Sequence, residues 1–382
     1  MPSPFANRQL SYLTPWLEDV SQARMESLGV TGGFSGAVIW RVSVTGEDSP
    51  QQNLCLRRWP QSHPSLTGLL AIHGLLRHVA AAGYDLVPVP LATHYGETHV
   101  VLEDHLWELA PWMPGEARLA STPTDEKLSA AMQSLARFHQ AAQTYRFEGD
   151  AARLAPSAGL QQRLAMIKSL QQGELQQLWQ ATRTAEASDL RELAFELLEG
   201  IGHSLDGVAS SLQQIVDVPL PLQWCLRDVR HDQILFTGEK VSGLLDFGAV
   251  AVDSVAGDLA RLLGSIVNDH PESWQDGIDA YGMQRPLSHD ELRAIVGFDQ
   301  GGLICSATNW VRWLFVEGRS FPQIHALHDQ LIWLRDRLQT LASRSTASIA
   351  SALSGPVRER LKPPTSTGGE PHRAATSPWM HT

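Results

Sequence analysis

The 382-residue sequence predicts an α+β chain of two unequal lobes: a small β-rich N-lobe with one helix, and a larger, mostly helical C-lobe with an embedded β-hairpin. Three observations predict this. Ahead of Pro114, short β-branched or apolar runs are bounded by Gly, Pro, Asp and Asn, as strands are. Past Pro114-Gly115 the apolar positions recur at helical spacing over long stretches. One strand-like island, Leu222 to Phe247, interrupts those helices.

In chain order, Val38 to Val44 and Leu54 to Arg58 read as strands. Leu66, Leu69, Leu70, Leu75, Leu76 and Val79 then trace a helix that Gly83 closes. His99 to Leu102 reads as another strand, and Glu108-Leu109-Ala110-Pro111-Trp112-Met113 as the connector between lobes. Thr122-Pro123-Thr124-Asp125 has the marks of a helix start: a hydroxyl cap, Pro in the first turn and a carboxylate at the positive end of the dipole. The following helix carries Leu128, Met132, Leu135 and Phe138 on one face. Further helical patterns cover 158–182, 186–215, 255–268, 289–316 and 323–345, with Trp310 and Trp313 expected in the core, or one of them in a pocket wall. From Ser343 onward the chain is rich in Ser, Thr, Pro and Gly and reads as a disordered tail. The expected divisions are therefore 1–110, 111–342 and 343–382.

Composition excludes several classes. Hydrophobic residues at 43% and charged residues at 19% exclude a wholly disordered chain. A net charge of −11 argues against nucleic acid as partner and is compatible with a cationic or neutral small substrate. Cys55, Cys225 and Cys305 lie far apart and indicate neither a disulfide framework nor a zinc site. There is no signal-peptide pattern and no apolar run of roughly 18 residues, so no membrane partner is expected and a cytoplasmic setting is the simplest.

The island carries the chemistry. It reads Trp224-Cys225-Leu226-Arg227-Asp228-Val229-Arg230-His231-Asp232-Gln233-Ile234-Leu235-Phe236, then Val241-Ser242-Gly243-Leu244-Leu245-Asp246-Phe247-Gly248. Kinase-type phosphoryl transfer needs one carboxylate at the attacking hydroxyl, and an oxygen ligand with a second carboxylate to fix Mg²⁺ on the nucleotide phosphates. In the kinase signature these are a catalytic-loop Asp, an amide five positions on, and the Asp of Asp-Phe-Gly. Asp228, Gln233 and Asp246 follow that order. The runs 233–236 and 241–245, joined by Thr237-Gly238-Glu239-Lys240, form a hairpin that returns Asp246 beside Asp228.

The segment resembles the aminoglycoside phosphotransferase and choline kinase superfamily, whose fold is protein kinase-like and whose loop commonly runs His-Gly-Asp-Leu-His-x-x-Asn-Ile-Leu. Leu135-Ala136-Arg137-Phe138-His139 and Asp253-Ser254-Val255-Ala256-Gly257-Asp258-Leu259-Ala260 are similar to two further segments of that family. Gly29 to Gly36 sits where its nucleotide-covering loop lies, and Leu54-Cys55-Leu56-Arg57 resembles its phosphate-binding strand. The likeness spans roughly residues 25–335 and is strongest around 224–262. The resemblance implies ATP and Mg²⁺ as cofactors. It implies Asp228 as the catalytic base, Gln233 and Asp246 as metal ligands, and Asp258 as structural support for the loop. It implies nucleotide contacts from Gly32, Gly33, Ser35 and Arg57. The backbone of Glu108 and Ala110 is expected at the adenine edge, with Trp112 or Met113 packed near the base.

The chain departs from the family at four places. Gln233 replaces Asn, which moves the amide by ~1.5 Å. Arg57 replaces Lys, and Leu226 replaces the loop His. The helix at 66–82 offers no Glu to pair with Arg57, and His73 lies near the expected place. His231 and Asp232 read as an exposed loop pair. Arg57 and Arg58 alternate, so one of them points inward.

Two functions compete. One is a phosphotransferase acting on a hydroxyl of a small molecule: an amino alcohol, a sugar or an aminoglycoside-like compound. The other is a pseudokinase, a nucleotide-binding or scaffolding module, which the Gln, Arg and missing-Glu departures motivate. No activation-loop-like segment follows Asp-Phe-Gly, which argues against a protein kinase, and neither a P-loop nor a GxSxG elbow is present.

Overall fold

The computed structural model describes residues 10–29, 36–45, 51–119, 122–147, 153–321 and 323–343. The N-terminal part is a five-stranded antiparallel sheet of β1 (Ala23–Gly29), β2 (Val38–Val44), β3 (Gln52–Arg58), β4 (Val100–Leu102) and β5 (His105–Pro111), ordered β1-β2-β3-β5-β4. One helix, α1 (Leu66–Ala81), accompanies it; the Ser65 side chain caps its start.

Two of these strands lack the expected sequence signal, for different reasons. In β1 only Ala23 is buried, so this edge strand shows no apolar alternation. β5 runs into the stretch 108–113 expected as the connector, and its hairpin with β4 turns on Glu103 and Asp104. Both have positive φ (51° and 59°), where Asn-Gly is the usual signature.

Register sorts the sheet into two faces. Trp40 pairs with Leu56 and Leu56 with Leu109, so Trp40, Val42, Leu54, Leu56 and Leu109 form one apolar face. Leu13, Trp16 and Trp107 complete that core. The opposite face carries Arg41, Cys55, Arg57, Glu108 and Ala110, because side chains alternate along each strand. It looks toward α1 and the rest of the molecule.

The larger core is helical. It uses α2 (Asp125–Ala142), α3 (Ala158–Ser169), α4 (Leu175–Thr184), α5 (Asp189–Gln213), α6 (Val255–Val267), α7 (Pro271–Gly282), α8 (His289–Phe315) and α9 (Ile324–Ser343). Ala71, Ile72, Leu75, Leu76 and Val79 of α1 belong to this core, not to the sheet's. The Tyr145 hydroxyl, donating to Ala71 C=O at 3.1 Å, and the Tyr84–Ser134 hydroxyl pair at 2.9 Å lock α1 to the C-terminal part. Trp310 is buried there, edge-on to Trp313 at 5.1 Å.

The strand island is more elaborate than a hairpin. β7 (Leu220–Cys225) lies between β6 (Arg153–Ala155) and β10 (Ala251–Ser254), while β8 (Ile234–Thr237) and β9 (Lys240–Leu244) form the separate hairpin. The pattern at 158–182 is two helices split by a π turn at Leu170–Glu174, where Gly173 has φ +121°. The cap of α2 is Thr124, whose hydroxyl accepts from Lys127 N–H, so Pro123 stands before the helix rather than in its first turn. α7 was not foreseen; it buries Trp274, Ile278 and Tyr281. Residues beyond 343, read as a disordered tail, lie outside the described residues. Among the described residues no helix is long and apolar enough to cross a membrane.

The hairpin is clamped to the chain after β5 by Glu116 N–H to Phe236 C=O (3.0 Å) and Phe236 N–H to Glu116 C=O (2.8 Å). Gly115 makes the close approach possible. Its φ is +95°, and a Cβ there would lie 2.1 Å from Ser242 Oγ and 2.7 Å from Phe236 C=O. Gly115→Ala is expected to lower stability by about 1–3 kcal/mol, read as a lower urea midpoint at unchanged m-value.

Candidate active site

Asp258, in the first turn of α6, is fully buried and organises the loop after β7. Its carboxylate accepts Leu226 N–H at 2.7 Å and Arg227 N–H at 2.6 Å. It also accepts from His139 Nε2 at 2.9 Å, while His139 Nδ1 faces the Tyr281 hydroxyl at 2.8 Å. Because a carboxylate only accepts, the imidazole proton sits on Nε2 and Nδ1 accepts from Tyr281. Burial lowers the His139 pKa, against the pull of Asp258.

That anchorage supports an unusual backbone. Arg227 has φ +68° and Asp246 φ +63°, both in the left-handed region that non-glycine residues adopt at a cost of about 1 kcal/mol or more. Between them, Leu245 N–H donates to Gln233 C=O at 2.9 Å, tying the end of the hairpin to the loop. The arrangement turns Asp228 outward and Asp246 toward the sheet.

Asp228 is exposed, and its Oδ1 accepts from Arg261 Nε at 2.9 Å. Arg261 escaped the sequence reading, although its spacing from Asp258 on α6 puts both on one helix face. Asp246 keeps an exposed edge, yet desolvation raises its carboxyl pKa. Asp228 and Asp232 push the same way, and Arg57 and Gly248 N–H oppose.

Gln233 does not present its oxygen to a metal. Its Oε1 accepts Arg230 N–H at 2.9 Å, and its Nε2 donates to Asp246 Oδ2 at 3.1 Å. The extra methylene carries the amide back over its own turn, and in this arrangement the side chain braces Asp246; the expected ligand role would require the amide to leave Arg230 N–H. His231 is corrected, since both ring nitrogens are buried without a hydrogen-bond partner instead of exposed.

The partner of Arg57 comes from β5. Register sets Arg57 opposite Glu108, with Nη1 3.5 Å from Oε1. His73 Nε2 bonds the other carboxylate oxygen at 2.7 Å, and His73 Nδ1 bonds Thr98 Oγ1 at 2.7 Å. Burial alone would raise the Glu108 carboxyl; His73 and Arg57 outweigh it and hold it below its usual value. The guanidinium lies 4.8 Å over the Trp59 ring. Arg58 takes the other face, over Trp107. Glu108 is the lone carboxylate in 105–113, a signal visible in the sequence once β5 is known to be a strand.

That register also corrects the expected adenine contacts. Trp59 N–H donates to Leu106 C=O and Trp112 N–H to Asn53 C=O, so the backbone of 106, 108, 110 and 112 faces β3. Glu108 and Ala110 therefore turn their amides into the sheet. Leu109 C=O, on the other side, accepts Leu91 N–H at 2.8 Å. The groups next in line on that side are Pro111 C=O and Met113 N–H. Trp112 lies beneath the Arg41 guanidinium at 5.1 Å. Gly32, Gly33 and Ser35 lie outside the described residues.

The donor set fits a divalent cation at Asp246. Asp228 and Asp232 add weakly to the negative field at Asp246 and Arg57 offsets it; a hard cation held by one carboxylate, phosphate oxygens and water is the common Mg²⁺ arrangement. The buried trio His139, Cys225 and Asp258 is also close enough to hold a metal. Its Asp and His are already committed to the loop and to Tyr281.

The chain belongs to the phosphotransferase enzyme family, whose model matches residues 28–294. It is 25% identical over 277 residues to a homoserine kinase of Gluconobacter oxydans (strain 621H), covering 70% of this chain and 75% of that protein. A crystal structure of an aminoglycoside phosphotransferase from Alicyclobacillus acidocaldarius superposes with a TM-score of 0.59 at 16% identity, over 92% of this chain and 98% of that one. Amicoumacin kinase in complex with AMP-PNP, Ca²⁺ and Ami gives 0.59 at 13% identity, over 90% and 96%. The fold is the protein kinase-like one of these structures, with a small antiparallel sheet and a mostly helical lobe.

His139 makes the site's anchorage acid-sensitive. Unfolded, it titrates near 6.5; folded, it stays neutral to lower pH, so below about 6.5 the unfolded chain binds the extra proton and stability falls as pH falls. Its contribution is expected to approach about 1 kcal/mol per pH unit. Thermal unfolding at pH 7.5 and 5.5 should show that loss in the wild type and a shallower one in His139→Asn.

Proposed function

We propose that this protein is an ATP-dependent kinase that moves a γ-phosphoryl group to a hydroxyl of a small molecule. The observation that carries the reading is the convergence of Asp228, Asp246 and Arg57, with Arg57 and Asp228 both acting electrostatically on Asp246. In this reading the acceptor hydroxyl oxygen bonds to the γ-phosphorus as the bond to the bridging oxygen breaks. ADP leaves, and the hydroxyl proton passes to Asp228. Arg261 orients the base, and Arg57 neutralises phosphate charge. Asp246 would hold Mg²⁺, which when bound offsets charge on the transferring group. Gln233 fixes the carboxylate that does so. Pro111 C=O and Met113 N–H take the adenine edge, and Gly32, Gly33 and Ser35 cover the phosphates.

The divisions at 110/111 and 342/343 belong to the same reading, with the sheet as nucleotide cover and the helical part as acceptor site. The acceptor is an amino alcohol, a sugar or an aminoglycoside-like compound; the similarity to a homoserine kinase favours the small end of that range. A cytoplasmic location follows from the supply of ATP. The silent scaffold is not favoured: the relatives above are kinases or phosphotransferases by description.

Asp228→Asn should lower kcat by about 10²–10⁴-fold while nucleotide affinity stays within a few-fold. Asp246→Ala should lose the Mg²⁺-dependent thermal stabilisation by ATP that the wild type shows; equal shifts in both proteins would defeat the metal assignment. Glu108→Gln releases Arg57 from its counter-charge and should cut kcat/KM for ATP about tenfold or more with the acceptor KM little changed. An unaltered ATP dependence would remove Glu108 from phosphate binding.

A further inference from the structure

A cavity of about 160 Å³ opens beside Asp228, walled by α3, α6, α8 and α9. It is well under the roughly 300–1,000 Å³ of sites for drug-sized ligands. Four arginines and two aspartates line it. Arg261 is paired with Asp228 (2.9 Å), and Arg337 with Asp299 (3.0 Å) and Asp269 (3.1 Å). Arg227 lies 3.7 Å from Asp253, which is otherwise bonded by Ser157, Gly159 and Ser254. Arg163 makes no ion pair within 4.0 Å among the described residues, although Asp253, shared with Arg227, acts on it electrostatically. Its Nη1 donates to Gly159 C=O at 3.0 Å, and its Nε is buried with no partner.

The surroundings hold this cation in place. Arg163 lies 4.7 Å over the Phe298 ring. Glycines make room for the pair: a Cβ at Gly301 would fall 3.1 Å from Arg163 Cδ, one at Gly257 3.1 Å from Phe298 Cε1, and one at Gly159 2.9 Å from the same atom. A guanidinium stays charged, and a buried charge lacking a partner is costly. Desolvation is the largest influence and disfavours the charge; Cys305 and Asp253 offset part of it, and Arg227 and Arg261 add to it. An anion entering the cavity relieves that cost.

Resting on the kinase reading above, we infer that the acceptor is a small hydroxy acid whose carboxylate is received by Arg163 while its hydroxyl meets Asp228. A guanidinium with no ion pair of its own and a buried Nε lacking a partner fits one planar carboxylate. Polycations are disfavoured, because Asp228 and Asp299 are already engaged by arginines. The overall charge of −11 is thus a poor guide to the acceptor, since four arginines against two aspartates line the cavity.

The test uses the full chain with Mg-ATP. Glycerate and 4-hydroxybutyrate, their methyl esters, choline and a polycationic aminocyclitol are compared as acceptors and, by thermal shift, as ligands. The acids should be bound and phosphorylated, and the esters at least tenfold less well. Arg163→Gln should raise KM or Kd for the acids roughly ten- to hundredfold, with Arg163→Lys between, and Mg-ATP stabilisation unchanged in both. Preference for the esters or cations overturns the inference, as does equal binding of the acids by Arg163→Gln, or no binding of either acid by the wild type. Loss of Mg-ATP stabilisation in the wild type would instead defeat the kinase reading, and the binding arm would still judge the carboxylate.

Discussion

The site depends on one buried carboxylate. Asp258 receives two consecutive backbone amides of the loop after β7 and the imidazole of His139. Charge-assisted hydrogen bonds of this kind are worth about 1.5–3 kcal/mol each, enough to hold Arg227 at a positive φ. With Arg227 held there, the next residue, Asp228, is presented to the cavity instead of folding back on the strand. The same carboxylate joins α6 to α2 and, through Tyr281, to α7, so the helical core and the reactive loop share one anchor.

A second constraint links the sheet to that loop. A half-buried arginine at position 57 needs a counter-charge, and α1 supplies none. Antiparallel register solves the problem by placing Glu108 directly opposite, and His73 of α1 then bonds the carboxylate from behind. The helix orients the acid instead of providing it. Since α1 packs into the larger core, the Arg57 guanidinium is positioned by both halves of the molecule.

Substitution of one residue type can thus be absorbed by rearranged hydrogen bonding. The longer side chain of Gln233 bonds its own turn and Asp246 instead of projecting an oxygen into the cleft. The two carboxylates proposed to carry the chemistry, Asp228 and Asp246, differ in environment. One is ion-paired and open, while the other is partly desolvated beside like charges, the condition in which a cation is most welcome.

Local patterns in the sequence determined much of this protein. Helical periodicity located α1, α2, α5, α6, α8 and α9 to within a few residues, and the spacing of 228, 233 and 246 set the two acids on either side of one hairpin, because those features depend on neighbours along the chain. Only the tertiary structure decided what depends on partners distant in sequence. β1 and β5 lack alternation or turn chemistry and exist because β2 and β3 pair with them. The pairing of Arg57 with Glu108, of Asp228 with Arg261, and the seating of Arg163 over Phe298 are set by register and helix packing, across separations that no local pattern encodes.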